Sequence, residues 1–223
     1  MARRGFAIVC ALSVLLSGCG GDSSDKDAKT SASPGTPSQG APSQEAPSAA
    51  AGSGGTRLGG GKSGISLELP KGWKEVDPTT DSSAVVKTSY GLTGERGSLT
   101  KQLLSMQRGQ GTVFAIDGSV SSGFAPHLSA GCDSGGLTGS SLEQLKKKQQ
   151  ALEPSSRITD VTVSGKPAYR ATYSSAKSDG SSVDGITVRV PISAERYCFV
   201  KIEAEKGGLP AQAEQIVASF ALA

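Results

Sequence analysis

The side chains of this protein best suited to chemistry are few: four cysteines and one histidine. They stand at Cys10, Cys19, Cys132, Cys198 and His127. A zinc site draws three or four ligands from His, Cys and carboxylate groups, and beyond residue 19 the chain supplies one imidazole and two thiols. No Cys-x-x-Cys occurs, so neither a redox pair nor a zinc knuckle is spelled out. A hydrolase needs a nucleophile, a base and a group that orients the base. His127 is the sole neutral-pH base of the usual kind, no Gly-x-Ser-x-Gly elbow is present, and Ser-x-x-Lys is not followed by Ser-Asp-Asn. Placed after Pro126, His127 is expected at the surface or on an edge strand. The run Asp179-Gly180-Ser181-Ser182-Val183-Asp184 lacks the spacing of an EF-hand loop and reads as a hairpin turn. No catalytic residue, metal ligand set or cofactor is expected.

The N-terminus gives the cysteines a context. Arg3 and Arg4 precede a mostly apolar run from Phe6 to Leu16, which ends in Leu16-Ser17-Gly18-Cys19. A charged start and an apolar run of roughly 7–15 residues describe a signal peptide, here 1–18, whereas a spanning helix needs about 20. The Leu-Ser-Gly-Cys run resembles a lipobox, whose cysteine receives diacylglycerol. An ordinary secretory signal ending near a cysteine is the rival reading. Two acyl chains hold a protein stably on a membrane where one does not, so the expected address is the extracytoplasmic face of the cell membrane, lipid-anchored. Residues 19–62 are Gly, Ser, Pro, Ala and Thr with few large apolar side chains, a composition that cannot bury a core and reads as a disordered tether. Gly59-Gly60-Gly61-Lys62-Ser63 lacks the first glycine of a phosphate loop, which would fall at Thr56. Once Cys10 leaves with the signal and Cys19 takes lipid, Cys132 and Cys198 remain as an even pair outside the cytoplasm. A disulfide between them is expected, closing a loop of roughly 66 residues and stabilising by up to about 4 kcal/mol; a metal site or a redox pair is the alternative.

Charge excludes one class of partner. Removing Arg3 and Arg4 from the 23 basic side chains leaves 21 against 20 acidic ones, so nothing steers nucleic acid. Lys146-Lys147-Lys148 lies on an expected helix and reads as a solvated face.

Residues 63–223 are enough for one core and too few for two. Ile65-Ser66-Leu67-Glu68-Leu69 alternates as a strand and stops at Pro70, ahead of Trp73, which is expected in the core. Ala84 to Thr88 reads as a weaker strand. Leu99, Leu103 and Met106 recur at helical spacing between Gly94 and Arg108. Strands follow at 112–117 and around 124–128. A helix with a capping-box start at Ser140 and Glu143 carries Leu142, Leu145 and Leu152. Ile158 to Val163, a turn at Gly165-Lys166-Pro167, Ala168 to Tyr173, Ile186 to Ile192 and Tyr197 to Ala204 read as an antiparallel meander. On its last strand Cys198, Val200 and Ile202 share one face, and Phe199, Lys201 and Glu203 the other. A final helix carries Leu209, Ala213, Ile216, Val217 and Phe220. Helices interspersed with antiparallel strands predict an α+β fold, an antiparallel sheet covered by helices.

Several short motifs resemble one family in order. Leu69-Pro70-Lys71-Gly72-Trp73, Phe124-Ala125-Pro126-His127-Leu128, Gly165-Lys166-Pro167-Ala168, Arg196-Tyr197-Cys198-Phe199-Val200 and Ile216-Val217-Ala218-Ser219-Phe220 are similar to those of actinobacterial LpqN/LpqT-type lipoproteins and PsbP-like domains. The resemblance implies a PsbP-like α/β/α sandwich over 63–223. The chain departs from the family in having no asparagine, so that His127 stands where the family often has one, and in its cysteine pair. The family implies an accessory role, so the expected function is a noncatalytic binding module of the envelope with a protein, lipid or glycan partner. A lipid or small-molecule carrier with an apolar cavity is the alternative, and an envelope hydrolase of unseen chemistry a third.

Overall fold

A computed structural model describes residues 55–136, 139–177 and 180–223. They belong to a compact unit that begins at Ala50. Cys19 and the signal lie outside the described residues. Seven strands form an antiparallel sheet: β3 (Trp73–Glu75), β4 (Val113–Asp117), β5 (His127–Ser134), β6 (Arg157–Val163), β7 (Lys166–Ala176), β8 (Ser182–Pro191) and β9 (Arg196–Glu205). Their spatial order is β3-β4-β5-β9-β8-β7-β6, so the meander β6 to β9 docks its last strand on β5. A second sheet has β2 (Ile65–Leu69) between β1 (Thr56–Gly60) and β10 (Ala221–Leu222). Among the described residues four helices accompany the sheets: α1 (Ala84–Ser89), α2 (Gly97–Gly109), α3 (Leu142–Leu152) and α4 (Gln212–Ala218). The expectation of an antiparallel sheet covered by helices is met.

Alternation divides the large sheet into two unlike faces. On one, Leu128, Ala130 and Cys132 of β5, Cys198, Val200 and Ile202 of β9, and Ile186, Val188 and Val190 of β8 are buried. The small sheet (Leu58, Ile65, Leu67, Leu69) and α4 (Ala213, Ile216) with Phe220 close this side, and Trp73 joins the same core as expected. Cys132 and Cys198 stand directly opposite each other in the β5–β9 register and are disulfide-bonded, 66 residues apart. Gly64, at φ +71°, packs against them so closely that an added Cβ would lie 2.7 Å from the Cys132 sulfur. The opposite face is covered at its two sides only. Val85, Val86 and Tyr90 pack on Phe114 and Ile116 of β4, while Leu145 of α3 packs on Tyr169 and Ala171 of β7.

Several expectations are corrected. The folded chain reaches further N-terminally than residue 63: Thr56–Gly60, which composition assigned to the tether, pairs antiparallel with β2 and buries Leu58. A strand therefore precedes the glycine run, but a second strand follows it where a phosphate loop would open a helix, and Ser63 closes the turn by donating from Oγ to the Gly60 carbonyl at 2.8 Å. Ala84 to Thr88 is helical despite its two valines, because Val85 and Val86 gain a buried apolar neighbourhood on one side of a single turn, and packing outweighs a weak β preference. The strand expected at 124–128 instead begins at His127 and runs to Ser134. The α3 capping box is one residue later than read, with Ser141 and Gln144 exchanging hydrogen bonds. Leu152 is exposed, and Lys146 of the basic run pairs with Asp160 at 2.6 Å.

The α2 stripe is the sharpest reversal. Leu99, Leu103 and Met106 are 57%, 51% and 61% exposed, while Leu104 is the leucine that turns toward the Phe114 cluster. Exposed positions tolerate exchange, whereas a leucine closed in on all sides does not. Leu99→Gln, Leu103→Gln and Met106→Gln are each expected to shift urea-unfolding stability by no more than ~0.5 kcal/mol, against about 3 kcal/mol lost by Leu145→Ala. Replacing both Cys132 and Cys198 by alanine is expected to lower stability by about 4 kcal/mol, the loop-closure entropy of the bond; an unchanged midpoint would place the bond's stabilisation elsewhere.

Candidate functional site

The middle of the second sheet face is left open. Beside the α1–α2 layer runs a groove of about 1120 Å³. Its floor is the polar side of the same strands whose apolar side makes the core: His127, Ser129 and Asp133 from β5, Phe199, Lys201 and Glu203 from β9, and Arg189 from β8. Thr100, Leu104 and Gln107 of α2 form part of one wall. Each floor residue lies there because its neighbours in sequence point into the core.

Glu203 is the electrostatic centre of the floor. Lys201 lies 2.8 Å from Glu203 Oε1, and the Tyr173 hydroxyl donates to the same oxygen at 3.1 Å. Burial by itself would raise the Glu203 pKa, but the Lys201 charge, the facing imidazole and these two hydrogen bonds outweigh it and bring it to about 2. Tyr173 sits on β7, two strands away, and reaches across β8 at Gly185, its register partner. Any side chain at Gly185 would occupy the tyrosine ring's place, so the glycine is required by close approach. Burial, then the Glu203 charge, push the Tyr173 pKa upward.

His127 is not at the surface or on an edge strand, as its place after Pro126 suggested. It is 6% exposed on β5, between β4 and β9. Its Nδ1 lies 3.3 Å from the Ala125 carbonyl and its Nε2 3.7 Å from Glu203 Oε2. The rings of Tyr90 and Phe124 flank it at 4.6 and 5.2 Å. Burial lowers its pKa to about 4 against the pull of Glu203, so at neutral pH the ring is uncharged and the ionic partner of Glu203 is Lys201. No hydroxyl hydrogen-bonds to the imidazole among the described residues. The arrangement holds a neutral ring in an aromatic slot; it does not align a base with a nucleophile.

At the other end of the floor Arg189 lies against the Tyr197 ring, 5.6 Å from its centroid. Tyr197 donates to Asp133 at 3.4 Å. Burial pushes the Tyr169 hydroxyl up to about 12, with the Arg189 charge opposing. Lys177 lies 4.2 Å over the Phe124 ring at the groove's margin. Cys132 and Cys198 sit beneath this floor on the apolar face. Of the cysteines and the histidine weighed for chemistry in the sequence, His127 reaches the groove and Cys132 and Cys198 do not. Alternation on β9 did place Phe199, Lys201 and Glu203 on one face, but Tyr90 at the end of α1, Tyr173 on β7, and Gly185 and Arg189 on β8 converge from three elements, and no spacing along the chain announces their meeting.

No protein-family model matches the sequence, and no curated protein matches it. Solved structures similar in fold include the following three. One is a protein of Bacteroides thetaiotaomicron (12% identity, TM-score 0.43, 76% of this chain), of which the chain covers 48%, about half its length. A second is the cyanobacterial PsbP of Synechocystis (12% identity, TM-score 0.43, 81% of this chain and 99% of that one). A third is LpqN of Mycobacterium tuberculosis, described as involved in cell envelope biogenesis (14% identity, TM-score 0.43, 76% of this chain and 90% of that one). Likeness at this level concerns the fold and assigns no activity.

The buried imidazole makes a pH prediction. In the unfolded chain His127 takes up its proton below about 6.5, whereas in the fold it stays neutral down to about 4. Over that interval the unfolded state binds the extra proton, so stability falls as pH falls, by about 3 kcal/mol in all. Urea-unfolding curves taken from pH 7 to 4 should drop more steeply for the wild type than for His127→Gln. Parallel curves would mean that His127 titrates normally.

Proposed function

We propose that the protein is a noncatalytic binding module of the cell envelope, held at the extracytoplasmic face of the membrane through a lipidated Cys19, and that its ligand occupies the groove on the polar sheet face. One observation carries the reading. The sheet's two faces are built oppositely: one is closed by a second sheet and α4 into an apolar core, whereas the other is covered in part by helices and leaves a groove of about 1120 Å³ open beside α1 and α2. A pre-formed concavity with aromatic surfaces and a few fixed charges is the usual form of a ligand site.

The polarity of the floor favours a ligand that binds from the surface with hydrogen-bonding groups, such as a headgroup, a glycan or a peptide. It argues against a carrier, whose apolar cargo would need an apolar cavity; the space between sheet and small sheet is filled by packed side chains. Against a hydrolase stand the low basicity of His127 and the engagement of Glu203 by Lys201 and Tyr173.

Groove and bystander surface can be separated by filling each. Lipid, glycan and protein fractions of an envelope are passed over the immobilised chain and the retained species identified by mass spectrometry. Ser129→Trp, in the floor, should abolish retention of the species that the wild type and Glu68→Trp, on the exposed side of β2, both keep. Equal retention by Ser129→Trp, or none by the wild type from any fraction, would overturn the groove assignment.

A further inference from the structure

The groove floor contains a cation, Arg189, that no carboxylate pairs among the described residues. Lys201 is neutralised by Glu203 at 2.8 Å, and Lys177 lies over Phe124. Arg189 differs from both. Its Nε and Nη1 are shielded from solvent and have no hydrogen-bond partner, and among the described residues no carboxylate comes within salt-bridge distance of it. The nearby Asp133 accepts from the Tyr197 hydroxyl. Tyr197 supports the guanidinium on its ring face, 5.6 Å from the centroid, and the Tyr169 hydroxyl hydrogen-bonds to the same group; both are neutral and leave its charge unpaired.

Buried donors are almost always satisfied in native proteins, and a part-buried charge needs an opposite charge more than a neutral group does. A guanidinium is always protonated, weakly hydrated and matched to planar or tetrahedral oxyanions. Facing into an open groove, it can obtain from a ligand what the fold withholds. We propose that Arg189 is the specificity-determining residue of the groove and that the ligand presents an oxyanion, a phosphate or a carboxylate, to the part of its guanidinium that lines the groove. The rest of such a ligand would extend over Phe199 and Ser129 toward the His127 slot, where the floor is aromatic and hydrogen-bonding. The inference rests on the groove being the binding site and adds the chemistry of what binds.

The test titrates the chain, labelled with ¹⁵N at arginine, with three probes: inorganic phosphate, dihexanoylphosphatidylglycerol and glucuronate. They separate a free anion, a lipid headgroup and an acidic sugar. At least one should shift the Arg189 Nε–Hε signal and raise the melting temperature. The probe that binds most tightly should bind Arg189→Met at least tenfold more weakly, with Arg189→Lys in between, because lysine keeps the charge and loses the planar donor set. Should Arg189→Met fail to fold, the wild-type Nε–Hε response decides alone. An unmoved signal with all three probes, or equal affinity in Arg189→Met, would overturn the proposal. A ligand that Ser129→Trp excludes but Arg189→Met retains would leave the groove reading standing and remove the anion from it.

Discussion

The pairing of β5 with β9 is the contact on which the molecule depends. The seven-stranded sheet is built from two stretches of chain, β3 to β5 and the meander β6 to β9, and this one antiparallel ladder joins them. Its eight residue pairs run from His127–Glu203 to Ser134–Arg196. Bringing those strands together costs the entropy of closing a long loop, and the Cys132–Cys198 bond removes most of that cost from the unfolded side. The same ladder puts His127 opposite Glu203, so the covalent staple on the apolar face and the polar pair on the other face are set by one register.

From that ladder the two faces diverge. The apolar side needs volume filled, and β2, α4 and Phe220 fill it. The polar side needs charges and donors satisfied, and does so unevenly. Glu203 is held by three side chains on two other positions of the sheet and on its own strand, the Tyr90 hydroxyl is shared between the carbonyls of Ala115 and Leu128 at 2.8 and 2.9 Å, and Arg189 is left short of acceptors. A low-dielectric floor magnifies both the satisfied and the unsatisfied interactions. That contrast separates the structural half of the groove, around Glu203, from the half that is open to a ligand.

Legibility followed the physics of each element. The meander was readable because most of its strands alternate and a glycine marks its first turn, although that turn lies at Ser164–Gly165, both at positive φ, and the Lys166-Pro167 expected in it opens β7. Strand β1 was not, since a single leucine among glycines has no period and becomes a strand only when β2 offers it a partner. The α2 stripe misled in the other direction: helical spacing of Leu99, Leu103 and Met106 was correct, but periodicity says that a face is apolar and not which neighbour covers it. For His127 the preceding proline suggested an edge, yet the proline precedes the strand and costs the ladder nothing.

What the sequence determined alone is therefore local or covalent in origin: the signal-like start, the poverty of catalytic groups, the even cysteine pair, the antiparallel meander and the separation of Phe199, Lys201 and Glu203 from Cys198, Val200 and Ile202. These follow from periodicity, composition and spacing along the chain. Tertiary structure decided which apolar stripe is buried, where the first strand begins, the protonation state of His127, and the convergence of Tyr173, Gly185, Glu203 and Arg189 on one floor. Those properties depend on burial and on distances between strands remote in sequence, and burial and distance come into being only when the sheet closes.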